Sequence, residues 1–378
     1  MEGYRAKKKL LFISAAYKNE SPVGIRFKEF ADYFEKKFNL EVLNLSKKIS
    51  VLSRKNKICI FINKVFMKFP LMPDPYVLIL KEYKKNIKRI LYKNKVDVII
   101  IQVLPFSLIK LATYIKKIYN NVIVIIDLSD PYSASIKNLH QPKKIRNRMR
   151  NFEKNHFQNV DKLIVLNEEL KGYYEELISK DNFAYVLEQG VNKKIIDSNL
   201  TNATTYARYL KFIYAGAFYK NFREPFNLYT AIQKTTVECK LAVFGGFKKR
   251  YKPPAGERFY YGGRISMDNL INQYEIADII VFIDNKDSYQ IPGKIFEILS
   301  LQKPILYIYY NDNTPSLKYF QKFDGIYYSK NNVKDIINAI HKIKDNRNKE
   351  IQRDLSDFTW QKLLDQFYNE VFTLKYKC

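Results

Sequence analysis

The sequence predicts an α/β protein built from two doubly wound parallel sheets in tandem. Three observations lead there. Short apolar runs alternate with longer amphipathic stretches, which suits buried parallel strands covered by helices on both faces. The alternation restarts after a polar segment near the middle of the chain. The 378 residues also exceed what one hydrophobic core comfortably holds.

The first set of strands is expected at 10–15, 41–45, 96–102, 122–128, 161–166 and 184–187. Helical spacing lies between them at 26–38, 83–93, 107–119 and 168–179. Residues 192–208 are polar, rich in Asn and Thr, and read as a linker. A second set of strands follows at 212–215, 241–244, 259–261, 279–283 and 305–309. Its helices are expected at 226–236, 267–277, 293–301 and 333–344. Phe358, Trp360, Leu363, Leu364, Phe367 and Val371 give the tail a helical period. The expected organisation is a first domain over 1–195, a second over 196–355, and a helical segment over 356–378 that packs back toward the first domain. Paired sheets of this kind leave a cleft, and ligands on them bind beyond the carboxyl ends of the strands.

Composition narrows the chemistry. Hydrophobic residues make up 47%, enough for packed cores. Lys and Arg number 65 against 38 Asp and Glu, a formal charge of +27 that attracts polyanions. Neither zinc-finger spacing nor an RNA-recognition signature accompanies it, so no nucleic-acid partner is expected. Cys59, Cys239 and Cys378 are scattered, as in a chain with unpaired thiols. With His140, His156 and His341 they form no metal-ligand spacing. The apolar run after Lys7-Lys8-Lys9 is too short for a signal-peptide core. The longest uncharged stretch, 98–109, falls short of the roughly 20 residues that span a bilayer. The expectation is a cytoplasmic protein, in which the sequons at Asn199 and Asn202 carry no meaning.

The most informative segment follows the strand at 279–283. Pro292-Gly293 opens a helix there, with Lys294 beside its first amides and Glu297 one turn on. A helix start favours an anion, and a carboxylate there can accept hydrogen bonds from a ribose diol. The arrangement suits a nucleoside diphosphate. The same residues also suit an ordinary strand–turn–helix with surface Lys and Glu.

Pro292-Gly293-Lys294-Ile295-Phe296-Glu297-Ile298 with Lys303-Pro304 resembles the donor-binding signature of the family 4 GT-B glycosyltransferases, the glycosyl transferases group 1 class. That family carries Pro-x-Lys-x-x-Glu-Tyr-x-x-x-Gly-Lys-Pro or a pair of spaced glutamates. Glu297 matches the second glutamate, and Tyr289 stands where the first would fall. Phe212-Ile213-Tyr214-Ala215-Gly216 with Arg223 resembles the opening of the family's C-terminal domain, although Ala217 replaces the usual arginine. Val243-Phe244-Gly245-Gly246 resembles its next glycine turn, and Gly263-Arg264-Ile265-Ser266 its base-binding turn. The likeness is more generic in the first half. There Gly24 sits in a stretch resembling the flexible acceptor-side glycine loop, and Asp127-Leu128-Ser129-Asp130-Pro131-Tyr132 resembles a segment that enters the cleft.

The resemblance implies the GT-B fold and a retaining transfer of sugar from a UDP- or GDP-sugar to a glycan or lipid-linked acceptor. It also implies a place in surface polysaccharide or glycoconjugate synthesis, and no cofactor. Gly216, Arg223, Gly245, Arg264, Ile265, Tyr289, Pro292, Gly293, Lys294 and Glu297 would hold the donor. Gly24 and Gln102 would face the acceptor, with Gln102 where many relatives have His. Asp130, then Asp127, are the candidates for a catalytic base, although a departing phosphate can itself take the proton. Charge on that phosphate is expected to be met by basic side chains rather than a metal. Asp284-Asn285-Lys286-Asp287 lacks Asp-x-Asp spacing and is expected to be a solvated loop. Residues 47–95 mix many cations with Phe61, Val65, Phe66 and Phe69. They read either as a patch for an anionic membrane, on the inner face of the cell membrane, or as a solvated basic face. Three rivals stay open: a sugar-nucleotide epimerase, a basic nucleic-acid-binding protein, and a GT-B scaffold that binds without catalysis.

Overall fold

The computed structural model describes residues 7–16, 21–45, 73–74, 76–77, 80–135, 138, 141–191, 209–286 and 289–374. The linker at 192–208, both sequons and most of 47–79 lie outside the described residues. The chain divides into unit 1, Met1–Gln189 with Trp360–Cys378, and unit 2, Gly190–Thr359.

Unit 1 opens with β1 (Lys9–Ser14), whose residues from Leu10 onward are buried. Ser21 caps α1 (Pro22–Lys37) by accepting from the Gly24 amide at 3.2 Å, with a proline in the first turn and Lys36 and Lys37 in the last. Then come β2 (Asn39–Asn44) and α2 (Leu80–Lys93), which buries Leu80, Tyr83, Ile87 and Leu91 along one stripe. The unit continues with β3 (Val98–Gln102), α3 (Ile109–Ile118), β4 (Ile123–Asp127), α4 (Lys143–Phe157), β5 (Lys162–Val165), α5 (Glu168–Ile178) and β6 (Ala184–Val186). The sheet order is β2-β1-β3-β4-β5-β6, with every pairing parallel. The chain therefore reverses its direction of travel between β1 and β3.

Unit 2 repeats the plan. It runs β7 (Leu210–Ala215), α6 (Phe226–Lys234), β8 (Cys239–Phe244), β9 (Phe259–Gly263), α7 (Met267–Ile276) and β10 (Ile279–Ile283). It ends with α8 (Ile295–Leu299), β11 (Ile305–Tyr309), α9 (Pro315–Phe320), β12 (Ile326–Lys330) and α10 (Val333–Asp345). The order is β12-β11-β10-β7-β8-β9, again parallel, and the reversal falls between β7 and β10. Two buried cations brace the elements around α8. Lys303 Nζ donates to the carbonyls of Glu275 at 2.7 Å and Ala277 at 2.6 Å, and burial pushes its pKa down. The Arg353 guanidinium donates to the carbonyls of Lys303 at 2.8 Å and Leu299 at 3.1 Å.

The tail returns to unit 1. Trp360, Leu363, Leu364 and Phe367 of α11 (Trp360–Tyr368) enter one apolar cluster with Phe30 and Phe34 of α1. Ring contacts such as Phe30–Trp360 at 6.4 Å and Phe34–Phe367 at 6.3 Å run through it.

Three elements exceed the sequence expectation. In α4 the stripe of Ile145, Met149 and Phe152 is diluted by six Lys and Arg, which hides its period. The α9 helix is short, and β12 is half-exposed at the sheet edge with a mixed pattern. One element is smaller than expected: the helix read at 293–301 spans only Ile295–Leu299.

Candidate nucleotide-binding site

In unit 2 every strand runs the same way, so the segments after β7, β8, β9 and β10 lie along one edge of the sheet. Glycines line that edge. The Gly216 amide donates to Phe244 O at 2.9 Å, and the Gly245 amide to Gly263 O at 2.7 Å. A Cβ at Gly245 would lie 1.9 Å from Gly216 O, and its φ of +148° is itself strained for other residues. The tips of β7 and β8 thus approach backbone to backbone. Arg264 is exposed and Ile265 half-buried just past β9, ahead of Ser266, which caps α7 by accepting from Asn269 N.

Arg223 sits in the loop after β7. Its main chain pairs with Tyr219 in an antiparallel bridge. Its Nη2 donates to Asn285 Oδ1, just past β10, while its Nε is buried without a hydrogen-bond partner among the described residues. Burial raises the pKa of the neighbouring Tyr214 phenol, and the Arg223 guanidinium opposes that rise. The pair Arg223–Asn285 spans the point where the chain reverses direction, the usual place for a ligand on such a sheet.

Beyond β10, Tyr289 and Gly293 are exposed and Pro292 is buried. Lys294 precedes α8, and its Nζ lies 3.5 Å from Glu297 Oε1, with side-chain exposures of 33% and 12%. Tyr274 Oη donates to the same carboxylate oxygen at 3.2 Å. Burial, then the Glu297 charge, push the Tyr274 pKa well up. Because α8 is a helix of five residues, its dipole adds little, so the cations must carry most of any attraction for an anion.

Asp284-Asn285 corrects the expectation of a solvated loop, since both residues are buried. Asp284 accepts from Tyr307 Oη at 2.7 Å, Ser316 Oγ at 2.8 Å, Thr314 Oγ1 and the Asn285 amide. Asn285 is the functional candidate that sequence reading missed. The available signal was a polar pair directly after the wholly apolar run of β10.

The corresponding edge of unit 1 is closed. Asp127, at the end of β4, and Arg26 of α1 are both 0% exposed and form an ion pair at 2.9 Å. Arg26 also donates to Glu188 O at 2.9 Å and Leu187 O at 3.2 Å. Asp127 is therefore an ion-pair partner rather than an open base, which corrects its sequence assignment. Gln102 is also buried: its Oε1 accepts from Ser14 Oγ at 2.7 Å, and its Nε2 donates to Val23 O at 3.1 Å. Gly24 lies buried within the first turn of α1 and not in a flexible loop, a second correction, because Ser21 and Pro22 start the helix early. Asp130 is exposed just past β4. Its loop is anchored by Ser133, whose amide donates to Glu153 Oε2 at 3.3 Å and whose hydroxyl binds the same oxygen. Tyr174 Oη donates to Glu153 Oε1 at 2.8 Å, and complete burial pushes the Glu153 carboxyl up to about 7.

No family model and no curated protein matches the sequence. Solved structures do resemble the fold. A glycosyltransferase from Rickettsia africae ESF-5 is similar at TM-score 0.67 and 14% identity, over 98% of this chain and 100% of that one. Anabaena HepE, solved in complex with UDP, is similar at TM-score 0.64 and 9% identity, over 97% and 100%. A Listeria monocytogenes protein described as a UDP-N-acetylglucosamine 2-epimerase is similar at TM-score 0.57 and 12% identity, over 99% and 98%. The chain has the two-domain Rossmann-like GT-B fold.

Proposed function

We propose that this chain is a glycosyltransferase that draws a sugar from a nucleoside-diphosphate donor held by unit 2. The observation that carries the reading is Arg223 at the β7–β10 reversal, with a buried Nε that lacks a hydrogen-bond partner among the described residues, beside the tip of β8, where Gly245 has a positive φ and no room for a Cβ. An unfilled guanidinium N–H in such a place suits a phosphate oxygen. In this reading Gly216 and Gly245 let the backbone approach the diphosphate. Arg223 and Lys294 meet the charge that grows as it departs. Glu297 exchanges its contact with Lys294 for the ribose hydroxyls, Arg264-Ile265 lie along the base, and Tyr289 with Pro292-Gly293 borders the sugar. The HepE complexes with UDP and UDP-glucose make a uridine donor the first to try, with a guanosine donor second.

The transfer is proposed to be retaining and to need neither metal nor cofactor, since the cations named above can neutralise the leaving group. The acceptor is proposed to be a glycan or lipid-linked glycan of surface polysaccharide synthesis, with Asp130, which is exposed, as the proposed base. No described helix is long and apolar enough to cross a membrane. Peripheral attachment to an anionic membrane would draw on cations such as Lys81, Lys85, Lys88 and Arg89 on α2, which are exposed.

A second reading has its own support. Gln102 and Asp127 are tied into the closed network of unit 1, which favours a protein that binds a donor without turning it over. A thermal-shift panel of UDP, GDP, CDP and their sugars tests the donor site. A ligand at about 100 times its Kd stabilises by about 2.7 kcal/mol, and no shift with any of them removes the proposal. Release of nucleoside diphosphate from a bound sugar nucleotide, with acceptor present, separates the enzyme from the binding protein.

A further inference from the structure

We propose that Asn285 is a positioning residue for Arg223, and that its neutrality keeps the guanidinium charge available to a diphosphate. The inference rests on the donor site described above and goes beyond it in assigning a role to a residue outside the recognised signature. Asn285 holds both loops of the site. Its Oδ1 accepts from Arg223 Nη2 in the loop after β7, and its Nδ2 donates to Gln290 O at 3.0 Å in the segment leading to Lys294. The donation to Gln290 fixes which end of the amide faces Arg223. A main-chain bond from Lys286 N to Phe222 O at 2.9 Å ties the same two loops a second time.

The amide chemistry matters because a carboxylate here would do something different. An aspartate at this place would pair with Arg223 as an ion pair and cancel the charge that a phosphate needs. The oxygen of an amide orients the guanidinium and leaves its charge whole. The neighbouring carboxylate, Asp284, is kept out of that role: its oxygens accept from Tyr307, Thr314, Ser316 and the Asn285 amide. The Nε of Arg223 stays buried without a hydrogen-bond partner among the described residues.

The test compares UDP, GDP and uridine binding in the wild type, Asn285→Asp and Asn285→Ala, by calorimetry for the nucleotides and NMR for the nucleoside. Asn285→Asp is expected to weaken diphosphate binding tenfold or more while changing uridine affinity less than twofold. Asn285→Ala, which removes the tether without adding charge, is expected to weaken diphosphate binding several-fold and serves alone if the aspartate variant does not fold. Equal losses for diphosphate and nucleoside would mean a merely structural residue and would overturn the proposal, as would wild-type affinity in both folded variants. A wild type that binds neither UDP nor GDP would instead overturn the donor reading itself, and this inference with it.

Discussion

The two units share a sheet plan yet treat their reversal points in opposite ways. Between β1 and β3 of unit 1, Ser14, Gln102, Asp127 and Arg26 satisfy one another, and Arg26 lies over the rings of Phe30 at 5.0 Å and Trp360 at 5.8 Å. Between β7 and β10 of unit 2, Arg223 meets a neutral amide, and its Nε has no hydrogen-bond partner among the described residues. A charge closed upon an internal partner builds structure. A charge oriented by a neutral partner is not cancelled, which is what the proposed diphosphate site needs. The fold permits either, so function has to be read from the side chains at the strand tips.

The sharpest way to break this comparison is to open the closed side. Arg26→Met should strand the buried Asp127 carboxylate and cost about 3–5 kcal/mol in urea unfolding, while adding Asp127→Leu should restore most of the loss. An equally unstable double variant would mean that the pair is not the unit of closure. Next comes Glu153, whose carboxyl titrates near 7 in the fold against 4.5 without burial. Its raised value means that its stabilising effect is complete below pH 4.5 and lost as pH climbs through about 7. At about 1.4 kcal/mol for each intervening pH unit, this amounts to roughly 3 kcal/mol. Glu153→Gln should flatten that slope, and parallel pH–stability curves would refute the assignment.

On the open side, Arg223→Ala should reduce diphosphate affinity by about 1.5–3 kcal/mol, roughly ten- to a hundredfold, with little change in unfolding. A large loss of stability with unchanged affinity would reverse the roles given to Arg26 and Arg223. The smallest effect is expected from Gly245→Ala, at about 1–3 kcal/mol of stability, from its clash with Gly216 O and its positive φ. An unaffected melting temperature would show that the β7 and β8 tips can separate.

Much of the architecture was legible because parallel strands buried on both faces leave continuous apolar runs, as in β3 and β10. What escaped was marked by charge or by brevity. The six cations of α4 outweigh its apolar stripe, and β12 alternates without a clear period at an edge. The placement of the candidate residues was legible: Gly216 and Gly245 fall at the tips of β7 and β8, and Arg223 in the loop between β7 and α6. Asp127 and Asp284 could not be sorted from sequence, because whether a carboxylate is open or saturated depends on partners distant in the chain. Arg26 lies 101 residues from Asp127, and Ser316 lies 32 from Asp284.

Amide hydrogen exchange with and without saturating UDP or GDP tests the central claim directly, because it reports where the ligand acts. The account predicts slowed exchange at Gly216–Arg223, Gly245 and Gly293–Glu297, with the strand tips of unit 1 unchanged. Protection confined to β1, β3 and β4, or absent everywhere in unit 2, would contradict it.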